Sequence, residues 1–133
     1  METLQISCEE DIFVARLRLR DFAKLHEFGL VDQTRLVTAA SELARNIQRY
    51  ATRGEISMER VAAAGRIGIR LTFRDHGPGI ENIEQAMTDG FTTSRGLGKG
   101  LPGSKRLVDE FDIQSEVGHG TTVTITKWNT YNV

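Results

Sequence analysis

Four glycines fall within eight residues in Gly96-Leu97-Gly98-Lys99-Gly100-Leu101-Pro102-Gly103, about twenty residues after a second turn, Asp75-His76-Gly77-Pro78-Gly79-Ile80. Glycines spaced two apart leave backbone N–H groups free to meet phosphate oxygens with no Cβ in the way. A helix opening near Gly103 would add its positive end. Either loop alone reads equally well as an ordinary turn. Taken in this order, with Glu42 and Asn46 on a helix upstream, they describe a nucleotide pocket. The spacing differs from a P-loop, which needs Gly-Lys-Ser/Thr after a fixed interval, and from the dinucleotide fingerprint of a βαβ unit.

A chain of 133 residues, 39% hydrophobic and 26% charged, has the makeup of a globular protein with one core, so a single domain over 1–133 is expected. Its formal net charge of −1 leaves no basic field to hold nucleic acid. Cys8 is the one cysteine, which excludes an intrachain disulfide and suits a reducing compartment. No apolar run approaches the ~20 residues of a membrane span, and the acidic, polar N-terminus is unlike a secretion signal. The expectation is a cytoplasmic protein with no membrane partner and, lacking repeats or linkers, no fused sensor or output domain.

Periodicity orders the elements. Thr3 to Ser7 suits a short edge strand. Ile12, Ala15, Leu19, Phe22 and Ala23 favour a helix from Glu9 to Phe28 with Gly29 as its stop, although Leu17-Arg18-Leu19-Arg20 also permits a strand. Asp32 is a candidate N-cap for a second helix, whose stripe is Leu36, Ala40, Leu43, Ile47 and Tyr50. Ile56 and Met58 alternate with polar neighbours, a turn is expected over 62–65, and Ile67, Ile69, Leu71 and Phe73 alternate with Arg66, Gly68, Arg70 and Arg74. Ile83 to Met87 suggests a short helix, 89–95 a loop, and Lys105 to Phe111 a helix. Ile113 to Val117 and Thr121 to Trp128 form a hairpin around Gly118-His119-Gly120. Without repeated βαβ units, the fold class is α+β: a two-layer sandwich of a mainly antiparallel sheet with helices on one face.

Glu42 and Asn46 are four apart, so they share a helix face at the border of its apolar stripe. An amide oxygen suits Mg²⁺, which takes oxygen donors and shares its shell with phosphates. A carboxylate one turn away can accept a proton from an attacking hydroxyl. As a generic pair they are equally a solvated face. Asp75 continues the apolar parity of its strand, where a carboxylate is costly without a partner. A ligand amino group would serve, as would the capping of its own turn. Gly77 and Gly79 would let the chain approach a flat base. Lys99 and Arg95 are candidate phosphate contacts or solvated charges, and Thr122 reaches the pocket if its strand borders it. His26, His76 and His119 lack metal-ligand spacing.

These residues resemble the Bergerat-fold, histidine-kinase-like ATPases, the group of gyrase, the heat-shock chaperone, histidine kinases and MutL. Ser41-Glu42-Leu43-Ala44-Arg45-Asn46 looks like the first block, which implies Asn46 at the magnesium position and Glu42 as general base. Asp75-His76-Gly77-Pro78-Gly79 resembles the adenine-binding block. Gly96-Leu97-Gly98-Lys99-Gly100, with Thr93 and Ser94 before it, resembles the lid around the phosphates. Gly120-Thr121-Thr122-Val123 looks like the last block, closing the pocket through Thr122. Over nearly the whole chain, with Leu-Pro-Gly, Lys-Arg-Leu and Lys127-Trp128, the likeness narrows to the small serine/threonine switch kinases of the bacterial stressosome. Lys99 departs from that pattern, where a smaller or apolar residue is usual. The resemblance implies a kinase using ATP and Mg²⁺, a STAS-domain protein substrate and a downstream phosphatase partner. Two rivals remain: an anti-sigma factor that sequesters a sigma factor, and a nucleotide-dependent binding module with little phosphotransfer.

Overall fold

The computed structural model describes residues 1–87 and 97–130, with the backbone alone for 97–100. Its elements are β1 (Glu2–Ile6), α1 (Glu9–Leu25), α2 (Leu30–Tyr50), β2 (Gly54–Ala63), β3 (Arg66–Asp75), α3 (Ile83–Ala86), α4 (Leu97–Leu107), β4 (Glu110–Glu116) and β5 (Gly120–Trp128). The strands form one antiparallel sheet in the order β1-β2-β3-β5-β4. This is the expected α+β sandwich.

Strand alternation decides which face the helices cover. Ile56, Met58, Ile69, Leu71, Phe73, Val123 and Ile125 are buried on one side, where α2 touches β1, β2, β3 and β5. Each such side chain contributes about 1.5–3 kcal/mol. The other side carries Arg70 opposite Glu59 and Arg74 opposite Glu55, pairs that lie across the β2–β3 ladder. The hairpin joining these strands turns at Ala64 and Gly65, both at positive φ (53° and 77°), so the strands extend into the span expected to be a turn.

Helix α1 is a helix throughout, because Ile12, Ala15, Leu19 and Ala23 reach the core only at helical spacing. It ends earlier than expected. Glu27 takes the left-handed conformation (φ 62°), Phe28 N–H bonds the Ala23 carbonyl at 3.0 Å, and Glu27 N–H bonds Lys24 at 3.0 Å. This is a glycine-type helix end without glycine, and burial of Phe28 rewards it. Gly29 is instead the N-cap of α2.

Asp32 is therefore no N-cap. It lies in the first turn of α2, buried, with its carboxylate committed to tertiary partners: the Lys127 ammonium at 3.5 Å, Thr130 N–H at 3.2 Å and the Thr130 hydroxyl. Asp109 holds the same Lys127 at 3.1 Å and accepts the Trp128 N–H at 2.7 Å. Burial pushes the Asp32 carboxyl up, but the two Thr130 bonds and the Lys127 charge outweigh it and hold the group below its ordinary range. A depressed native pKa adds stability that is present above the unfolded carboxylate value and is lost as pH falls through the native one. Urea midpoints of the parent should fall as pH passes below the ordinary carboxylate range. Asp32→Asn should flatten that limb and cost about 3 kcal/mol at pH 7, as expected for breaking a buried pair.

The second half of the chain departs most from expectation. Helix α4 opens at Leu97, so Gly98 and Gly100 are helical and Pro102 lies inside the helix. Three glycines and a proline cost about 6 kcal/mol of intrinsic propensity. Packing against α2 offsets it: Leu101 and Ser104 are buried, and the Ser104 hydroxyl reaches the Ala39 carbonyl at 3.5 Å. The helix stops at Leu107. Phe111 is a strand residue opposite Ile125, because Asp109 N–H already bonds the Thr126 carbonyl at 3.0 Å and starts the β4–β5 ladder.

Candidate functional site

Helix α2, the end of β3, the start of β5 and Leu101 of α4 enclose a cleft of about 490 Å³ including the solvent at its mouth. Its walls are mostly apolar, with Leu43, Ile47, Phe73, Ile80 and Val123 among them, and its polar groups are Asn46, Tyr50, Asp75 and Thr121. An apolar slot with a few placed polar groups suits a flat heterocycle. Asn46 Nδ2 and the Tyr50 hydroxyl are buried without a hydrogen-bond partner among the described residues. Buried polar atoms of that kind are costly in a closed core and mark groups available to a ligand.

Asp75 divides its two oxygens. Oδ1 accepts N–H bonds from Gly77 at 2.9 Å and Thr121 at 3.3 Å, so it caps its own turn and ties β5 to it. Oδ2 has no partner among the described residues. The turn-capping reading and the ligand reading thus fall on different atoms of one carboxylate. Gly77 and Gly79 serve the turn itself. A Cβ on Gly77 would stand 2.6 Å from the Ala51 Cβ, and one on Gly79 (φ 78°) would stand 2.4 Å from the Glu116 carbonyl oxygen. Gly79 also lines the cleft.

Thr122 does not face the cleft. It pairs with Arg74 in the ladder, on the face of the sheet away from the helices, while its neighbour Thr121 shares the parity of buried Val123 and Ile125. The alternation of β5 carried that signal. Tyr50, Ile80 and Leu101 are further cleft residues that the motifs did not single out. Glu42 stands one turn before Asn46 but outside the cleft lining, its side chain 46% exposed and its Oε1 3.7 Å from Arg45 Nη1. A half-exposed carboxylate there can be reached by a second macromolecule. Thr93, Ser94, Arg95 and Gly96 lie outside the described residues, as do the side chains of Leu97 and Lys99. Gly98 and Gly100 are described only as α4 backbone.

Magnesium takes oxygen ligands and shares its shell with nucleotide phosphates. Asn46 fits one such position: its Nδ2 is buried, and its Oδ1 takes no hydrogen bond from a described residue. Among the described residues no group of three or more His, Cys, Asp or Glu gathers to hold an ion by itself. Any ion at this place would depend on the nucleotide for much of its shell.

The family model described as histidine kinase-, DNA gyrase B-, and HSP90-like ATPase matches residues 31–130. The chain belongs to this family. It is 51% identical to the serine/threonine-protein kinase RsbT of Bacillus subtilis (strain 168), an alignment covering 94% of each chain. It is 31% identical to the anti-sigma F factor of Thermoanaerobacter sp. (strain X514), over 96% of this chain and 92% of that one. Among solved structures, the RsbU and RsbW domains of Rv1364c from Mycobacterium tuberculosis match with a TM-score of 0.66 at 20% identity, over 96% of this chain and 32% of that chain, which is a likeness of fold. The chain is a serine/threonine-protein kinase of the ATPase family, and it uses ATP. No helix among this kinase's described residues is long and apolar enough to cross a membrane.

If the free oxygen of Asp75 reads the base in this kinase, Asp75→Asn should weaken ATP binding about tenfold or more, because an amide offers a donor where a charged acceptor stood. Calorimetric titration with ATP checks it. Parental affinity would remove Asp75 from the base-reading role.

Proposed function

We propose that the chain is one ATP-binding kinase domain over 1–133. It transfers the γ-phosphoryl group of magnesium-bound ATP to a serine or threonine of a STAS-domain protein. The observation that carries the proposal is the placement of Asn46 and Asp75 in one cleft with Glu42 half-exposed one turn from Asn46. Asp75 accepts the base's amino hydrogens, with Gly77 and Gly79 shaping the turn. Asn46 contributes an oxygen to the magnesium ion, which neutralises phosphate charge when bound. The likeness to the family's lid block supports assigning the phosphate contacts to Thr93, Ser94, Gly96, Leu97, Gly98, Lys99 and Gly100. Glu42 takes the proton from the partner's hydroxyl as it attacks phosphorus. Phosphoryl transfer is mostly positioning and charge neutralisation, so a domain of this size is sufficient.

The proposed setting is the bacterial cytoplasm, in a stress-response or sigma-factor pathway. Phosphorylation of the STAS partner would free the kinase to engage a phosphatase. Likeness to anti-sigma F factors supports a second reading, in which the main act is holding a sigma factor. Incubation with γ-labelled ATP, Mg²⁺ and a STAS-domain protein separates the two. Label appearing on a serine or threonine supports the kinase proposal. Capture of a sigma factor without label transfer would favour the second reading.

A further inference from the structure

We infer that Ser115 sets the hydrogen-bonding polarity of the cleft, and through it the preference for a purine carrying a 6-amino rather than a 6-oxo group. The inference rests on the cleft being the base-binding end of the nucleotide site. Ser115 lies on β4 directly opposite Thr121 of β5, on the helix-facing side of the sheet. Three groups meet at its hydroxyl. Ile80 N–H donates to Oγ at 2.7 Å, Oγ donates to the Gly120 carbonyl at 3.2 Å, and Thr121 Oγ1 stands 2.8 Å away.

The direction of the last contact follows once the Ser115 proton is assigned to the Gly120 carbonyl. A hydroxyl has one proton and two lone pairs. With the Ser115 proton assigned to Gly120, one lone pair takes the Ile80 N–H, and the second takes the proton of Thr121. Thr121 has then spent its only proton away from the cleft, and what it offers a ligand is lone pairs. Asp75 Oδ2 is an acceptor as well, its sister oxygen being occupied by two backbone N–H groups. Both residues line the cleft. Two acceptors lining one cleft call for N–H donors, as on the 6-amino group of adenine. They oppose the 6-oxo group of guanine, whose lone pairs would meet theirs unpaired. Ser115 is thus a positioning residue. Without its hydroxyl the Thr121 proton is free to turn toward the cleft and donate to an oxo group.

Equilibrium binding of ATP and of GTP to the parent, Ser115→Ala, Ser115→Thr and Thr121→Val tests this, with thermal unfolding of each protein to verify folding. The parent should prefer ATP. Ser115→Ala should narrow the ATP-to-GTP ratio about tenfold, the scale of one net hydrogen bond, partly by gaining GTP affinity. A merely structural loss would weaken both nucleotides alike. Ser115→Thr keeps the hydroxyl and should keep the ratio. Thr121→Val removes the acceptor while leaving Ser115 bonded to Ile80, and should narrow the ratio too. A parental ratio in folded Ser115→Ala overturns the inference, and if that variant does not fold, a parental ratio in Thr121→Val does so. A parent that binds ATP and GTP equally would instead overturn the reading of the cleft.

Discussion

Glu42→Ala should keep nucleotide and partner affinity near the parental values while phosphotransfer falls by about two orders of magnitude or more. A positioned base is typically worth about 10² to 10⁴-fold, or roughly 3 to 5 kcal/mol of barrier. The separation of effects follows from the geometry. Glu42 does not line the cleft, so its removal leaves the base-binding walls intact. Its neighbour Arg45 bridges it to Glu9 of α1 at 3.7 and 3.6 Å, a partly exposed pair whose loss should change stability by less than about 1 kcal/mol. Single-turnover transfer to a STAS-domain protein, measured beside ATP affinity and melting temperature, decides the matter. Full transfer by the variant would leave positioning and charge neutralisation as the whole mechanism.

Gly120→Ala should be the most damaging glycine-to-alanine change among the described residues. Gly120 sits at φ 105°, where side chains are strained, and an added Cβ would stand 2.1 Å from the Asp75 carbonyl oxygen and 2.8 Å from the His76 Cα. Neither neighbour is the end of a flexible side chain. Both belong to the backbone that presents Asp75 to the cleft. Strain of about 1–3 kcal/mol and overpacking of similar size add to a loss of about 3–5 kcal/mol. Urea unfolding should show that loss, and ATP binding should fall with it because β5 must move away from β3. Gly118→Ala is the matched control. It also has a positive φ, of 85°, but a Cβ there meets nothing within 4 Å, so only the conformational strain remains.

Period and parity made most of the fold legible. The strict alternation Ile67, Ile69, Leu71, Phe73 described β3 and its buried face, and the spacing of Leu36, Leu43 and Ile47 described α2. Legibility failed where a partner distant in sequence competed with a local signal. Asp32 has the chemistry of an N-cap but is drawn to Lys127 and Thr130, which come from the other end of the chain. Gly98, Gly100 and Pro102 argue against a helix, and burial of Leu101 and Ser104 against α2 overrules them. Propensity is worth about 1 kcal/mol per residue, and a buried leucine more than that.

The sequence by itself determined the family, the antiparallel α+β class, and the placing of Glu42 and Asn46 on one helix with Asp75 ending a strand. These depend on residue type and on spacing within one element, which a linear pattern carries completely. Tertiary structure alone decided which threonine of Thr121-Thr122 lines the cleft, which oxygen of Asp75 is left unoccupied, and that the Ser115 hydroxyl stands 2.8 Å from that of Thr121. Each is a matter of how β5 registers against β3 and β4, and of where single protons and lone pairs are spent once those strands meet. A shift of one residue in that register would exchange Thr121 for Thr122 and turn every side chain of the strand to the other face.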